Sequence, residues 1–298
     1  MARLIECVTN FSEGRNKEVV EQIVDEIRKT DGVKLLDYSM DADHNRCVVT
    51  FIGEPEQVIE AAFKATKVAS EVIDMTKHTG EHPRMGATDV IPLIPISDVT
   101  MEECVEYSKK LGKRIGEELN IPVFLYEKSA TSRNREDLAE IRKGQYEGMA
   151  EKLKQEEWKP DFGPAELNVK SGVTAVGARP PLVAFNVNLG TNDLSIAKKI
   201  AKAVRAKTGG FTYCKAIGIE IKERNIVQVS MNLVDYTKTP IFRVFDAIER
   251  EARRYGVNVI GSEIIGLVPM QALVDVADYY LRLENFSSDQ ILERKIFE

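Results

Sequence analysis

The sequence predicts an α/β (α+β) fold built from two similar βαββαβ subdomains, and three observations predict it. Short β-type apolar runs alternate with stretches whose apolar residues recur at helical spacing. The resulting order is the split βαβ arrangement, in which two helices cover one face of a mixed sheet. The same order returns from about residue 173, and 298 residues suffice for two such units at roughly 150 residues per domain.

Residues 3–9 read as the first strand. After the NFSEGR turn, Val19, Val20, Ile23, Val24 and Ile27 repeat at helical spacing until Thr30, Asp31 and Gly32 stop the helix. Two β-type runs follow at 33–38 and 47–52, joined by the polar stretch SMDADHNR. Pro55 opens the next helix, which carries Val58, Ile59, Ala62, Phe63, Val68 and Val72; a proline at the first helical position forfeits no hydrogen bond. A strand at 89–96 completes the first unit, and helices near 101–119 and 136–155 extend it. In the second unit strands fall at 182–189, 214–222, 225–234 and 257–265, with helices at 193–207 and 240–255. Two prolines and a glycine in WKPDFGP (158–164) interrupt both periodicities, so the expected domains are 1–165 and 166–298.

Hydrophobic residues at 43% and charged residues at 30% describe a folded chain rather than a disordered one. The net charge of −6 gives no whole-surface positive field, so neither nucleic acid nor a membrane is an expected partner. No apolar run reaches the length of about 18 residues needed to span a bilayer. The N-terminal residues meet Asn10, Ser12 and Glu13 before a signal sequence could form. Cys7, Cys47, Cys104 and Cys214 are isolated, which suggests reduced thiols in a cytoplasmic protein.

Only three histidines exist, His44, His78 and His82, and two of them fall in HTGEHPRMGATDVIPLIP (78–95), a loop that feeds a strand. Histidine is suited to proton transfer near neutral pH, and His82 stands between Glu81 and Arg84; a solvated loop histidine is the plainer alternative. HTGEH also fits the H-x-x-E-H zinc pattern, but Gly80 and Pro83 oppose the helix that this chemistry requires, and no metal is expected. The stretch 39–46 gathers Asp41, Asp43, His44 and Arg46. It reads as a polar hairpin connection or as a place for acids to hold a cationic substrate while Arg46 holds a carboxylate. NFSEGR (10–15) offers helix N-terminal N–H groups to an anion, or is ordinary capping. Alternation in AFNVNL puts Asn186 and Asn188 on one face, toward a cleft or toward water. Neither a dinucleotide fingerprint nor a P-loop occurs.

NFSEGR (10–15), DADHNRCVVTFIG (41–53), HTGEHPRMGATDVIPLIP (78–95) and DFGP through GVTAVGARPPLVAFNVNL (161–189) closely resemble the glutamate formiminotransferase family. The likeness continues through QVSMNLVDY (228–236) and VIGSEIIGLVPMQAL (259–273), so it covers nearly the whole chain. The resemblance implies transfer of a formimino group from N-formimino-L-glutamate to N5 of tetrahydrofolate, a step of histidine degradation. It implies two α/β subdomains with folate in the cleft between them, and a homodimer. His82 matches the family's catalytic acid/base, a proton shuttle serving both N5 and the departing glutamate nitrogen. On that reading Asp41 or Asp43 lies near the amidine, Arg46, Arg84 or Arg179 clamps the carboxylates, and Gly163 to Gly172 and Asn188 line the folate cleft. Animal members carry a cyclodeaminase domain after the transferase. The transferase alone is expected here, with tetrahydrofolate as co-substrate and a separate cyclodeaminase as a candidate partner. A glutamate formyltransferase that makes 5-formyltetrahydrofolate, or a folate-binding protein without turnover, is the alternative.

Overall fold

The computed structural model describes residues 2–297, which form two compact units divided between Arg179 and Pro180. In the first unit β1 (Leu4–Phe11), α1 (Lys17–Arg28), β2 (Val33–Asp41), β3 (Arg46–Gly53), α2 (Pro55–Val72) and β4 (Thr88–Ser97) follow the expected order. Then come α3 (Met101–Leu119), β5 (Val123–Glu127), α4 (Leu138–Arg142), α5 (Gln145–Lys152) and β6 (Thr174–Ala178). The six strands form one mixed sheet in the order β2-β3-β1-β4-β6-β5; β6 runs parallel to both its neighbours and the other pairs are antiparallel.

Local chemistry accounts for the helix starts. Asn16 accepts the N–H groups of Glu18 and Val19 at the start of α1, while Val20, Ile23, Val24 and Ile27 face inward. Thr100 and Glu103 form a reciprocal capping box on α3. Helices α1, α2 and α3 pack against one face of the sheet, and Ile5, Cys7 and Phe11 of β1 enter that core at alternate positions. On the other face α4, α5 and Trp158 cover β4, β6 and β5 through Val90, Phe124, Tyr126, Ile141 and Met149. The expected helix at 136–155 is therefore two helices, broken where Gly144 takes φ 92°.

The second unit contains β7 (Val183–Leu189), α6 (Leu194–Val204), β8 (Cys214–Ile221), β9 (Ile226–Leu233), α7 (Ile241–Arg254), β10 (Val259–Ile265), α8 (Met270–Leu281) and α9 (Leu292–Phe297). Its sheet order, β10-β7-β9-β8, matches the β4-β1-β3-β2 order of the first unit's central strands, so the two units share the split βαβ plan. All its pairings are antiparallel, so only the first sheet is mixed as expected. Helices α6 and α7 cover Phe185, Val187 and Leu189 on one face.

The join expected at 165/166 lies too early. Strand β6 sits between β4 and β5 and belongs to the first unit, so the chain leaves that unit only after Arg179. All four cysteines are free and buried, and burial pushes each thiol up to about 12.

Candidate active site

Three segments of the first unit meet beside the start of β3: the turn at 10–16, the hairpin tip at 41–46 and the loop at 78–87. Asn45 pins them together. It takes the left-handed conformation that asparagine tolerates, with φ 48°. Its Oδ1 accepts the Gly14 N–H at 2.9 Å, and its Nδ2 donates to the Thr79 carbonyl at 2.9 Å. The backbones approach so closely that a Cβ on Gly14 would lie 2.2 Å from the Asp41 oxygen, and one on Gly80 2.4 Å from the His44 oxygen.

The far end of the 78–87 loop is fixed by a buried acid. Asp89 Oδ1 accepts the Met85 N–H at 2.9 Å, while its Oδ2 accepts Arg142 Nε of α4 at 2.9 Å together with Arg142 Nη2. Nothing in the sequence marked Arg142, because its partner lies 53 positions away.

His82 occupies the non-helical part of this loop, so the geometry that a zinc helix requires is absent there. Arg46 Nη1 donates to His82 Nε2 at 2.7 Å and more weakly to Asn10 Oδ1 at 3.4 Å. A guanidinium cannot accept a hydrogen bond, so Nε2 presents its lone pair and the imidazole is neutral. Burial pushes the His82 pKa down to about 3, with help from the charges of Arg46 and Arg142. Burial also lowers the pKa of Arg46, and its Nε is buried with no hydrogen-bond partner among the described residues.

The third member of the cluster is His44, whose Nδ1 donates to Asp41 Oδ2 at 2.6 Å and whose backbone N–H donates to Asp41 Oδ1 at 2.8 Å. Burial acts to raise the Asp41 carboxyl, but the hydrogen bonds from His44 outweigh it and hold the group below the usual carboxylate range. The His44 and His82 rings stand edge to face with centroids 6.0 Å apart.

Asp41, His44, Arg46 and His82 are thus brought together. Asp43 lies on the same hairpin tip with its side chain exposed. Arg84 differs from its expected role as a carboxylate clamp. It is buried, its Nη1 and Nη2 reach Glu147 at 2.8 and 2.5 Å, and it also donates to Gln145 and His78. His78 is likewise structural: its Nε2 donates to the Asn45 carbonyl at 2.9 Å and its Nδ1 accepts from Arg84.

Gly172, at φ 72°, packs against Met85 and Gly86 at the base of the loop, whereas Gly163, at φ 83°, packs on Ile121 and Gly116 of α3. Arg179 follows the opposite end of β6 and interacts with Glu6 and Tyr126. Asn188 belongs to the second unit, where its Oδ1 accepts from Gln228 at 2.8 Å and Gln228 also donates to Glu263 at 2.7 Å. The N–H groups offered to an anion at the start of α1 are taken by the chain's own Glu13 and Asn16, so capping is the correct reading of NFSEGR. Among the described residues no group of three or more His, Cys, Asp or Glu is placed to hold a metal ion, and no helix is long and apolar enough to cross a membrane.

The cluster offers a neutral imidazole, an oriented second imidazole and an arginine with an unused donor. A family model described as the formiminotransferase domain, N-terminal subdomain, matches residues 4–179, and one described as the formiminotransferase domain matches 184–296. The chain is 57% identical to a glutamate formimidoyltransferase of Streptococcus pyogenes, with 99% of each chain covered. It is 52% identical to a glutamate formimidoyltransferase of Thermoplasma acidophilum over 98% of this chain and 97% of that one. It is 48% identical to a formimidoyltransferase-cyclodeaminase of Dictyostelium discoideum, covering 99% of this chain and 56% of that protein. With both halves of the chain matched in order, this protein belongs to the formiminotransferase family.

Proposed function

We propose that the protein transfers the formimino group of N-formimino-L-glutamate to N5 of tetrahydrofolate, giving 5-formiminotetrahydrofolate and L-glutamate as a step of histidine degradation. Two relatives matched over nearly their whole length carry the name of that activity. Within the molecule, the observation that carries the reading is a neutral imidazole covered by a displaceable arginine.

N5 of tetrahydrofolate attacks the amidine carbon, and the attacking nitrogen must then lose its proton. His82 Nε2 holds a lone pair for that proton, but Arg46 occupies it before substrate arrives. A glutamyl carboxylate is a stronger acceptor than an imidazole, and the orphaned Nε of Arg46 adds a second donor for it. Drawing the guanidinium onto the carboxylate frees Nε2 and removes a cation from beside it, so donor binding switches on the base. Tetrahydrofolate enters as co-substrate, and no resident metal is required by this sequence of bond changes.

A cytoplasmic location, a homodimer and a separate cyclodeaminase partner complete the reading. For the dimer, Ile260, Ile265, Leu267, Met270, Leu273 and Leu281 of the second unit are exposed apolar side chains grouped on β10, α8 and their connection. For the cyclodeaminase, the Dictyostelium relative joins the two names in one chain.

The test is product formation from tetrahydrofolate with N-formiminoglutamate or N-formylglutamate as donor. Wild type should turn over the formimino donor, and His82→Ala should be slower by about 100-fold. Turnover of the formyl donor alone would make the protein a formyltransferase, and folate binding with neither donor consumed would make it a binding protein.

A further inference from the structure

Asp41 grips His44 with both carboxylate oxygens, one on the backbone N–H and one on Nδ1. The first contact is an ordinary turn interaction that any residue at position 44 would satisfy. The second fixes the plane and the tautomer of the ring. With Nδ1 committed, Nε2 is the nitrogen left for exchange, and it has no protein partner among the described residues. Ring and carboxylate are each nearly half exposed, and the ring stands 6.0 Å from that of His82. A hairpin has no structural need for an oriented imidazole beside another imidazole.

We propose that His44, oriented by Asp41, is the second proton-handling group of this site, delivering a proton from Nε2 to the departing glutamate nitrogen while His82 takes the proton from N5. The proposal rests on the formimino-transfer reading above. It differs from the single shuttle implied by the sequence resemblance, in which His82 performs both transfers. The bond changes balance. His44 enters the step as the imidazolium, with its Nδ1–H on Asp41 and its other N–H at Nε2. The bond from N5 to the amidine carbon forms, the bond from that carbon to the glutamate nitrogen breaks, the N5 proton ends on His82 and the Nε2 proton of His44 ends on the glutamate amine, leaving His82 protonated and His44 neutral. Exchange of both rings with water restores the starting state. The division of labour follows from the hydrogen bonds: His82 Nε2 accepts from the Arg46 cation and has no proton to give in this state, whereas the Asp41 carboxylate on Nδ1–H supports the imidazolium of His44, whose Nε2–H is the proton delivered.

The test compares wild type, His44→Ala, His44→Gln and His82→Ala in the formimino-transfer assay, with and without added imidazole, while circular dichroism follows the fold. His44→Ala should lose about 100-fold in kcat with little change in the KM of N-formiminoglutamate, and added imidazole should restore part of the loss. His44→Gln, which fills the same space and keeps a donor toward Asp41, should be folded and equally slow. Full activity in His44→Gln, a defect confined to KM, or a kcat loss in a folded His44→Ala that no imidazole concentration relieves would each overturn the proposal. If wild type itself consumes no donor, formimino transfer fails as the function; if wild type turns over and the His44 variants match it, only the role of His44 fails.

Discussion

Arg46 sits on the nitrogen that His82 needs for chemistry, and this contact makes two measurable predictions. Arg46→Lys replaces a planar fork with a point charge and should raise the KM of the glutamyl donor by about 10-fold, read from initial rates at saturating tetrahydrofolate. The second concerns stability. The His82 pKa in the folded protein, about 3, lies below the unfolded value of about 6.5. Between these values the unfolded chain binds more protons, so the contribution of His82 is fully present above about pH 6.5 and is lost as pH falls toward 3. Urea unfolding at pH 7 and pH 5 should show a smaller acid-induced loss in His82→Gln than in wild type, and equal losses would show that the folded histidine titrates normally. The sequence exposed His82 and Arg46 through their residue types. It did not show where Arg84 is held, because adjacency to His82 in the chain says nothing about Glu147, which accepts from that guanidinium 63 positions away.

The hairpin tip between β2 and β3 and the loop before β4 are held together by backbone contact, which makes their glycines sensitive. Gly80→Ala would place a Cβ 2.4 Å from the His44 oxygen, so one of the two loops must move. The variant should lose at least about 10-fold in kcat, as expected when catalytic groups are displaced by about an ångström, while keeping the wild-type far-UV circular dichroism. Asp89 anchors the other end of the loop in a buried pair with Arg142. Asp89→Ala leaves that arginine without its partner and should destabilise the first unit by about 3 kcal/mol in urea unfolding. Most elements were legible from periodicity, since helices such as α1 and strands such as β1 bury one face fully and the other only in part. Strands β5 and β6 were not. They are short and buried on both faces, so they show no alternation, and Gly177 in β6 lies against the Tyr126 carbonyl where a Cβ would come within 2.2 Å.

At the scale of the molecule, the position of β6 decides where the first unit ends. A fragment of residues 1–179 contains every strand of the six-stranded sheet and should unfold cooperatively. A fragment of residues 1–165 lacks the strand between β4 and β5 and should not. Matching cooperative transitions from the two fragments would return the boundary to the proline-rich stretch at 158–164. The sequence by itself determined the order of the elements within each βαββαβ core, the repetition of that plan, the family and the loop that carries His82. Each is written in local pattern: the period of apolar residues, caps and turn residues, and contiguous motifs. The tertiary structure alone decided that β6 enters the first sheet, that α4 and α5 cover its second face, that Arg142 and Asp89 brace the loop and that Arg46 lies on His82. Those outcomes depend on partners far apart in the chain, chosen by burial on two faces and by charge pairing in a low-dielectric interior, neither of which leaves a periodic trace.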